Sequence, residues 1–558
     1  MVGIYYIQYT RGWMRMCRYI LRNKKYFIGT LCTSLFAGVV PLFLAYVIQL
    51  ISDVAFNNHF ERAGTCFFAS VLFLVYTLMT TSINSIMKST YRKKLKTDLG
   101  EDLYSSLMNQ PYSTFKKEKI GNQLSLFTND IKMVDEYYFY PILSMIVDII
   151  VSVIILIYIL RIHVFVGLMM VVIAVATLLV PKMMEKRLKK YSNQLSSYSG
   201  IYNSKLKEIF QNFDIILDLG VLKQFVDKGK EWIENMEYKQ RNVNMAISLT
   251  GNWANCIAAT FQLIFMLVIG LMILYGHLDM IYMMPIVNVS NNFISNLNDI
   301  SSNLAGFKSV SDVNSKLLNI IDSHGQANKF VSNYDGNIYL EHVSFGYTES
   351  KMIIDDLSFK FEKGKKYAIV GPSGSGKSTI LKMILGYYPV QKGNVSVLDS
   401  KNVSMIHQES HIFDDTIRNN LNMELVQTDE TLLKCMEFVD LPEFKLDQNI
   451  CEDGSNLSGG QVQRIGIART IAHLKEVLLC DEITASLDAQ TAIEIENRIL
   501  DLKEETVLYV THKYFDETLK KFDCILVFKQ GRIVEQGSFE ELMKNKEYFY
   551  SLKNKGCI

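Results

Sequence analysis

The run Gly371-Pro372-Ser373-Gly374-Ser375-Gly376-Lys377-Ser378-Thr379 directly follows an apolar stretch, residues 367–370. Glycines at this spacing let backbone N–H groups approach a polyphosphate, and a helix opening at Lys377 adds positive potential. Strand, glycine-rich loop and helix together fit a P-loop, in which Lys377 reaches the β- and γ-phosphates and Ser378 ligates Mg²⁺. That context disfavours a plain glycine-rich turn. A second element, Val477-Leu478-Leu479-Cys480-Asp481-Glu482, is an apolar strand ending in two acids. Adjacent carboxylates repel, so such a pair is uncommon at a strand end. Asp481 fits a Mg²⁺ partner of the P-loop, and Glu482 fits a base that takes a proton from the attacking water. The implied cofactors are ATP and Mg²⁺.

The elements that must hold these residues follow from pattern. Beyond residue 306, short strands alternate with helices, as in a mostly parallel α/β sheet. Residues 338–347, 357–361 and 367–370 read as strands. The stretch before it is different. A helix needs about 20 mainly apolar residues to cross a bilayer, and six stretches meet or approach that length: 26–51, 66–87, 141–160, 164–181, 253–275 and 280–305. The last is interrupted by Asn288, Asn291, Asn292, Asn296 and Asn298. Hydrophobic residues make up 49% of the 558 residues, and the mean hydropathy of +0.12 is high for a wholly soluble chain.

Orientation follows from charge. The long connections after the second and fourth stretches open with Arg92, Lys93, Lys94 and Lys96 and with Lys182, Lys186, Arg187, Lys189 and Lys190, whereas the short links 53–64, 161–163 and 276–279 are poor in basic residues. The positive-inside bias places both termini and both long loops in the cytoplasm. Apolar spacing through Leu103 and Leu107, then Leu124, Phe127, Ile131 and Val134, continues the helical period into the first loop, so the helices are expected to extend well beyond the membrane. The basic N-terminus (Arg11, Arg15, Arg18, Arg22, Lys24, Lys25) precedes a run too long for a cleaved signal, which implies a retained first span behind a surface helix. Asp148 and the asparagines of the last stretch, with Asn255 and Gln262, either line a substrate path or make helix–helix contacts; both readings stay open. Nine scattered cysteines without a C-x-x-C pair read as reduced thiols. A net charge of +1 gives no case for nucleic acid.

Between the P-loop and the acidic strand lies Leu457-Ser458-Gly459-Gly460-Gln461, followed by a helix through residues 462–472. With this loop the chain resembles an ATP-binding-cassette (ABC) transporter, specifically an exporter-type half-transporter with fused membrane and nucleotide-binding domains. The resemblance covers nearly the whole chain. It implies a multi-domain fold: an all-α polytopic membrane domain of about six helices (the type IV exporter fold) and an α/β P-loop NTPase domain. The expected divisions are residues 1–25 as an elbow helix, 26–308 as the membrane domain with long cytoplasmic loops 88–140 and 182–250, 309–335 as a linker, and 336–558 as the nucleotide-binding domain.

The resemblance also implies roles for single residues. Tyr347 resembles the aromatic that stacks on adenine; Gln408 the glutamine that senses Mg²⁺ and the membrane helices; His512 the switch histidine at the γ-phosphate; Asp488, in Ala485-Ser486-Leu487-Asp488, the acid of the loop crossing the dimer seam. The metal is thus expected at Ser378, Gln408 and Asp481. Ser458, Gly459, Gly460 and Gln461 would cap the γ-phosphate held by the opposite protomer, which implies pairing, as a homodimer or with a different half. Glu452, just before the signature, resembles an exporter segment that contacts the cytoplasmic loops. Residues 111–115, 121–124 and 128–130, and the stretch 210–225, are similar to the two loops that dock on the ATP domains.

Three departures stand out. Residues 393–408 are about a dozen fewer than the family pattern leads one to expect, in the region of the small antiparallel sheet. The seam loop reads Ala-Ser-Leu-Asp where Ser-Ala-Leu-Asp is usual. No cysteine-peptidase domain precedes the membrane region, so peptide cargo is expected to be processed elsewhere. The expectation is ATP-driven export across a bacterial cytoplasmic membrane, of a peptide or amphipathic small molecule; a multidrug or lipid exporter of the same architecture is the alternative. From another class, an ATP-gated channel or sensor would use the same motifs without pumping, but the intact Glu482 and His512 argue for turnover.

Overall fold

The computed structural model describes residues 16–57, 59–118, 120–322, 334–348, 351–451 and 454–555. By their contacts the residues fall into two compact units, Met1–Met108 with Lys119–His324, and Asn109–Glu118 with Gly325–Ile558.

The first unit is helical. Its long helices among the described residues are Lys24–Gly38 and Val40–Asn57, Ala63–Met108, Tyr140–Ile162, Val164–Gln211, Leu222–Leu274 and Met283–Asp322. The stretches Lys24–Asn57, Phe60–Met108 and Ile120–Ile162 are long and apolar enough to cross a membrane. Large apolar side chains such as Phe67, Phe68, Leu74 and Leu78 are exposed, as expected where the surroundings are hydrocarbon rather than water. Ala63–Met108 and Val164–Gln211 each run on without a break beyond the apolar part, as the helical spacing in the connections predicts.

Two expectations shift here. The link placed at 53–64 is shorter, because the helix runs to Asn57. Asp53 holds that end: its carboxylate accepts from Asn57 Nδ2 at 3.0 Å and Arg62 Nη1 at 2.6 Å. The asparagine-rich last stretch is helical throughout, within Met283–Asp322. Asn296 donates to Ser152 Oγ at 3.4 Å and Asn303 to Ser144 Oγ at 3.2 Å, both on Tyr140–Ile162. For those two residues the helix–helix reading holds, and such bonds contribute about 0.6 kcal/mol each. Ser34 to Asn84 at 2.7 Å ties Lys24–Gly38 to Ala63–Met108 in the same way. The side chain of Asn255 lies outside the described residues.

The second unit is built on two sheets. Strands β1 (Ile338–Phe345), β2 (Ile354–Phe361) and β4 (Lys392–Val395) form an antiparallel sheet in the order β2-β1-β4. The larger sheet contains β3 (Lys366–Val370), β5 (Val403–Ile406), β6 (Val477–Asp481), β7 (Thr506–Val510), β8 (Cys524–Lys529) and β9 (Arg532–Gly537). Its order is β5-β6-β7-β3-β8-β9, parallel except for the β8–β9 pair. Every residue of β3, β6 and β7 is buried, the mark of parallel strands covered on both faces. One face packs on a cluster including Ile417, Ile465, Ile495 and Phe549, the other on Ile338, Leu381 and Ile384. Each such fully buried aliphatic side chain contributes about 1.5–3 kcal/mol.

Strand bounds differ slightly from those expected. β2 begins at Ile354 rather than 357 because Ile354 pairs with Phe345, and β1 ends at Phe345 rather than 347 where Gly346 turns. The compressed region after Gly393 is accounted for by β4 passing to β5 through residues 396–402 alone. The small sheet therefore has three strands among the described residues.

Candidate nucleotide-binding and hydrolysis site

Four adjacent parallel strands end on one edge of the large sheet, and each delivers one of the residues singled out above. β3 runs into Gly371, β6 into Asp481 and Glu482, β5 into His407 and Gln408, and β7 into Thr511 and His512. The register makes this automatic: Ile406 pairs with Cys480, Asp481 with Val510, and Val510 with Ile369. The carboxyl edge of a parallel sheet is where such folds bind ligands.

The loop from Gly371 to Gly376 needs its glycines. Gly371 has φ +149°, and a Cβ there would stand 2.3 Å from Phe528 O; Gly376 has φ +102°, and a Cβ would meet Ile354 Cδ1 at 2.6 Å. The loop then opens helix Lys377–Ile384. A cleft of about 470 Å³ lies above it, lined by Ser373, Gly374, Lys377, Ser378, Gln408, Glu482 and their neighbours. Lys377 is buried at 4% exposure. Its Nζ donates to Gly371 O and Pro372 O, both at 3.0 Å. Burial holds its pKa below the ordinary lysine value, while Glu482 and Asp481 oppose that shift. Ser378 Oγ donates to Asp481 Oδ1 at 2.6 Å.

Glu482 sits in the left-handed region at φ +51°, a conformation that costs a non-glycine residue about 1–3 kcal/mol and concentrates at functional sites. Its N–H still donates to Val510 O at 3.0 Å. The carboxylate is bracketed: Gln408 Nε2 donates to Oε2 at 3.0 Å, and His512 Nε2 lies 2.8 Å from Oε1. Burial and then Lys377 hold the His512 pKa below the ordinary imidazole value. A carboxylate oxygen only accepts, so in the 2.8 Å contact Nε2–H of His512 donates to Glu482. Burial lowers the pKa of His407 likewise.

Tyr347 is 51% exposed. Its hydroxyl is 3.2 Å from Thr379 Oγ1, and its ring meets Phe345 and Tyr388 edge-on at 5.1 and 5.2 Å. About half of the side chain is thus left open to a ligand. Residues 109–118 belong to this unit, and Tyr112 stacks on Tyr387 at 4.0 Å with 13° between the rings.

The signature residues lie apart from this cleft. Ser458 caps helix Gly459–Ala472: its Oγ accepts from Gln461 N at 3.3 Å, and its own N–H donates to Gln461 Oε1 at 2.8 Å. Asp488 caps helix Ala489–Leu500, accepting from Thr491 N at 3.0 Å, and this bond holds its pKa below the usual carboxylate value. Neither lines the cleft. Glu452 lies outside the described residues. The sequence reading missed Gln463 and Lys513, which hold the loop before Asp488. Gln463 had a signal, since it shares a helical face with Gly466 and Ile467, and a buried polar side chain on such a face asks for a partner.

The donors suit a divalent cation beside a polyphosphate. Ser378, Asp481 and Gln408 offer the oxygens that Mg²⁺ prefers. The Ser375 hydroxyl is 4% exposed and has no hydrogen-bond partner among the described residues, as expected of a group whose partner is a ligand. A parallel sheet gathering these groups at one edge defines a P-loop nucleotide hydrolase.

Comparison with known proteins agrees. The ABC transporter pattern matches residues 354–485, and that of the ABC transporter transmembrane region matches residues 27–295. An ATP-dependent lipid A-core flippase of Haemophilus ducreyi is 26% identical over 94% of both chains. A β-(1→2)-glucan export ATP-binding/permease protein of Bartonella bacilliformis is 23% identical over 98% of this chain and 96% of its own. The solved structure of a bacterial Atm1-family ABC exporter with ATP bound superposes with a TM-score of 0.83 at 18% identity, covering 96% of this chain and 99% of its own. The chain belongs to the ABC transporter family. It is a membrane exporter, with an ATPase coupled to transport.

Proposed function

We propose that two copies of this half-transporter close on two ATP molecules and drive an amphipathic molecule with a polar head outward across the cytoplasmic membrane, through six spans per copy, with the ATP units and both termini in the cytoplasm. One observation carries the engine: the Glu482 carboxylate is held between Gln408 and His512 at the mouth of the P-loop cleft. Ser378, Asp481 and Gln408 would hold Mg²⁺, which when bound offsets the negative charge of the β- and γ-phosphates.

In the proposed cycle, Lys377 leaves its two loop carbonyls for the phosphates, and Tyr347 stacks on adenine. Ser458, Gly459, Gly460 and Gln461 of one copy close over the γ-phosphate held by Ser373, Gly374, Ser375 and Thr379 of the other. Asp488 faces its counterpart loop across the seam. Gln408 and His512 hold Glu482 so that its carboxylate takes the proton of the attacking water. The stacking of Tyr112 on Tyr387 supports residues 109–118 as the lever arm, since an aromatic pair at 4.0 Å transmits a push that a water-filled contact would not.

For cargo, the likeness to a lipid A-core flippase over 94% of the chain favours a glycolipid over a free peptide. The test is translocation in proteoliposomes with Mg²⁺-ATP enclosed in the lumen, using a fluorescent glycolipid in the inner leaflet and an enclosed fluorescent amphipathic peptide in parallel. The expected result is ATP-dependent loss of glycolipid fluorescence to an outer-face quencher, absent in Glu482→Gln. Movement of the peptide alone would overturn the cargo reading, and ATP hydrolysis with neither moving would favour a channel or sensor.

A further inference from the structure

The loop from Thr484 to Asp488 is held by more groups than its length requires. Lys513 Nζ donates to Thr484 O at 2.7 Å and to Leu487 O at 3.0 Å, gripping both ends of the turn. Between them, Gln463 Oε1 accepts from Ser486 N at 3.4 Å and from the Ser486 hydroxyl. Thr484 Oγ1 donates to the buried Glu496 at 2.9 Å. The last residue, Asp488, is fixed as a helix cap.

Lys513 follows His512 directly, and the two are not free to move apart. Thr511 Oγ1 accepts from Lys513 N at 3.0 Å and donates to Lys513 O at 3.1 Å, closing a small ring of bonds around His512. A shift of the His512 backbone therefore carries the Lys513 backbone with it. His512 in turn contacts Glu482 at 2.8 Å. One continuous set of contacts thus runs from the hydrolytic carboxylate, through His512 and Lys513, to the carbonyls of the loop. This loop also has somewhere else to go: Gln463 is 3% exposed and its Nε2 has no partner among the described residues. A buried donor without an acceptor costs free energy, which disfavours this arrangement against one that supplies the acceptor.

We infer that Lys513 is a positioning residue that carries the state of His512 in one nucleotide site to the loop Thr484–Asp488, and so couples the two sites of an assembled pair. The inference rests on the reading that two copies close on ATP with that loop at their seam. Lys513 does not line the P-loop cleft; it acts through the carbonyls it holds.

The test compares ATPase rate against ATP concentration for the full chain in nanodiscs, as wild type, Lys513→Met and Lys513→Arg, with affinity measured separately by a fluorescent ATP analogue. With two sites the Hill coefficient has a ceiling of about 2. The wild type is expected well above 1, Lys513→Met close to 1 with nucleotide affinity within about threefold, and Lys513→Arg restored, because its several donors again reach both carbonyls. Should Lys513→Met fold poorly by its melting temperature, Lys513→Gln carries the same comparison, since its shorter side chain does not span both carbonyls. A wild-type Hill coefficient in the methionine or glutamine variant would overturn the inference, as would an arginine variant that behaves like methionine. A wild type that closes on ATP yet shows no cooperativity removes this inference alone; a wild type that never pairs removes the reading beneath it.

Discussion

Glu482→Gln is expected to lower steady-state ATP hydrolysis by about 10²- to 10⁴-fold, the range a positioned general base contributes, while nucleotide still binds. The substitution keeps shape and backbone. Gln408 and His512 now meet separate carboxylate oxygens at 3.0 and 2.8 Å; glutamine keeps an oxygen for one of them and turns its amide to the other, and it cannot take a proton from water. The φ of +51° is unchanged in kind, since glutamine bears the same left-handed strain as glutamate. Phosphate release from the chain in nanodiscs, set beside equilibrium binding of a fluorescent ATP analogue, separates the two effects. Near-normal turnover would remove Glu482 from the role of base.

Lys377→Ala is expected to lower turnover at limiting ATP for a different reason, by weakening nucleotide binding about 10- to 100-fold, since a hydrogen bond to a charged group contributes about 1.5–3 kcal/mol. In this structure the ammonium is held by Gly371 O and Pro372 O at 3.0 Å each. Those carbonyls are a parking place for a charge that would otherwise be buried alone. Burial already weakens its hold on the proton, so a phosphate gives it a better partner than the loop does. Lys377→Arg is expected to fail as well, because the planar guanidinium does not fit the point-charge position. A titration with the fluorescent analogue reads the loss directly, and affinity within about threefold of wild type would contradict it. Melting temperature checks that the freed carbonyls have not unfolded the unit.

Much of the hydrolytic edge was legible because each of its residues ends a buried strand, and apolar runs of four or five residues announce such strands. Their lateral order was not legible. Alternation of strands and helices implies a parallel sheet, but β5-β6-β7-β3-β8-β9 departs from chain order, and only that order puts Gln408 and His512 on either side of Glu482. The left-handed backbone at Glu482 was also hidden, since nothing in Asp-Glu signals a positive φ. Lys513 was hidden because a lysine after a histidine reads as solvated surface until the fold brings the loop Thr484–Asp488 to its tip. In the helical unit, helix lengths followed from spacing that runs through the polar connections. The last helix looked weak in sequence because its asparagines lower the hydropathy; two of them meet serines of Tyr140–Ile162. The grouping of residues 109–118 with the nucleotide unit agrees with the docking-loop resemblance of residues 111–115, whereas the stack of Tyr112 on Tyr387 was not legible.

The central claim is that ATP is shared between two copies. A cryo-electron microscopy structure of Glu482→Gln in nanodiscs with Mg²⁺ and ATP tests it most directly. The account predicts a pair of chains holding two nucleotides, each with its γ-phosphate between the Gly371–Thr379 loop of one copy and Ser458 of the other. Nucleotide bound at the P-loop of chains whose Ser458 loops remain turned away at saturating ATP would contradict it.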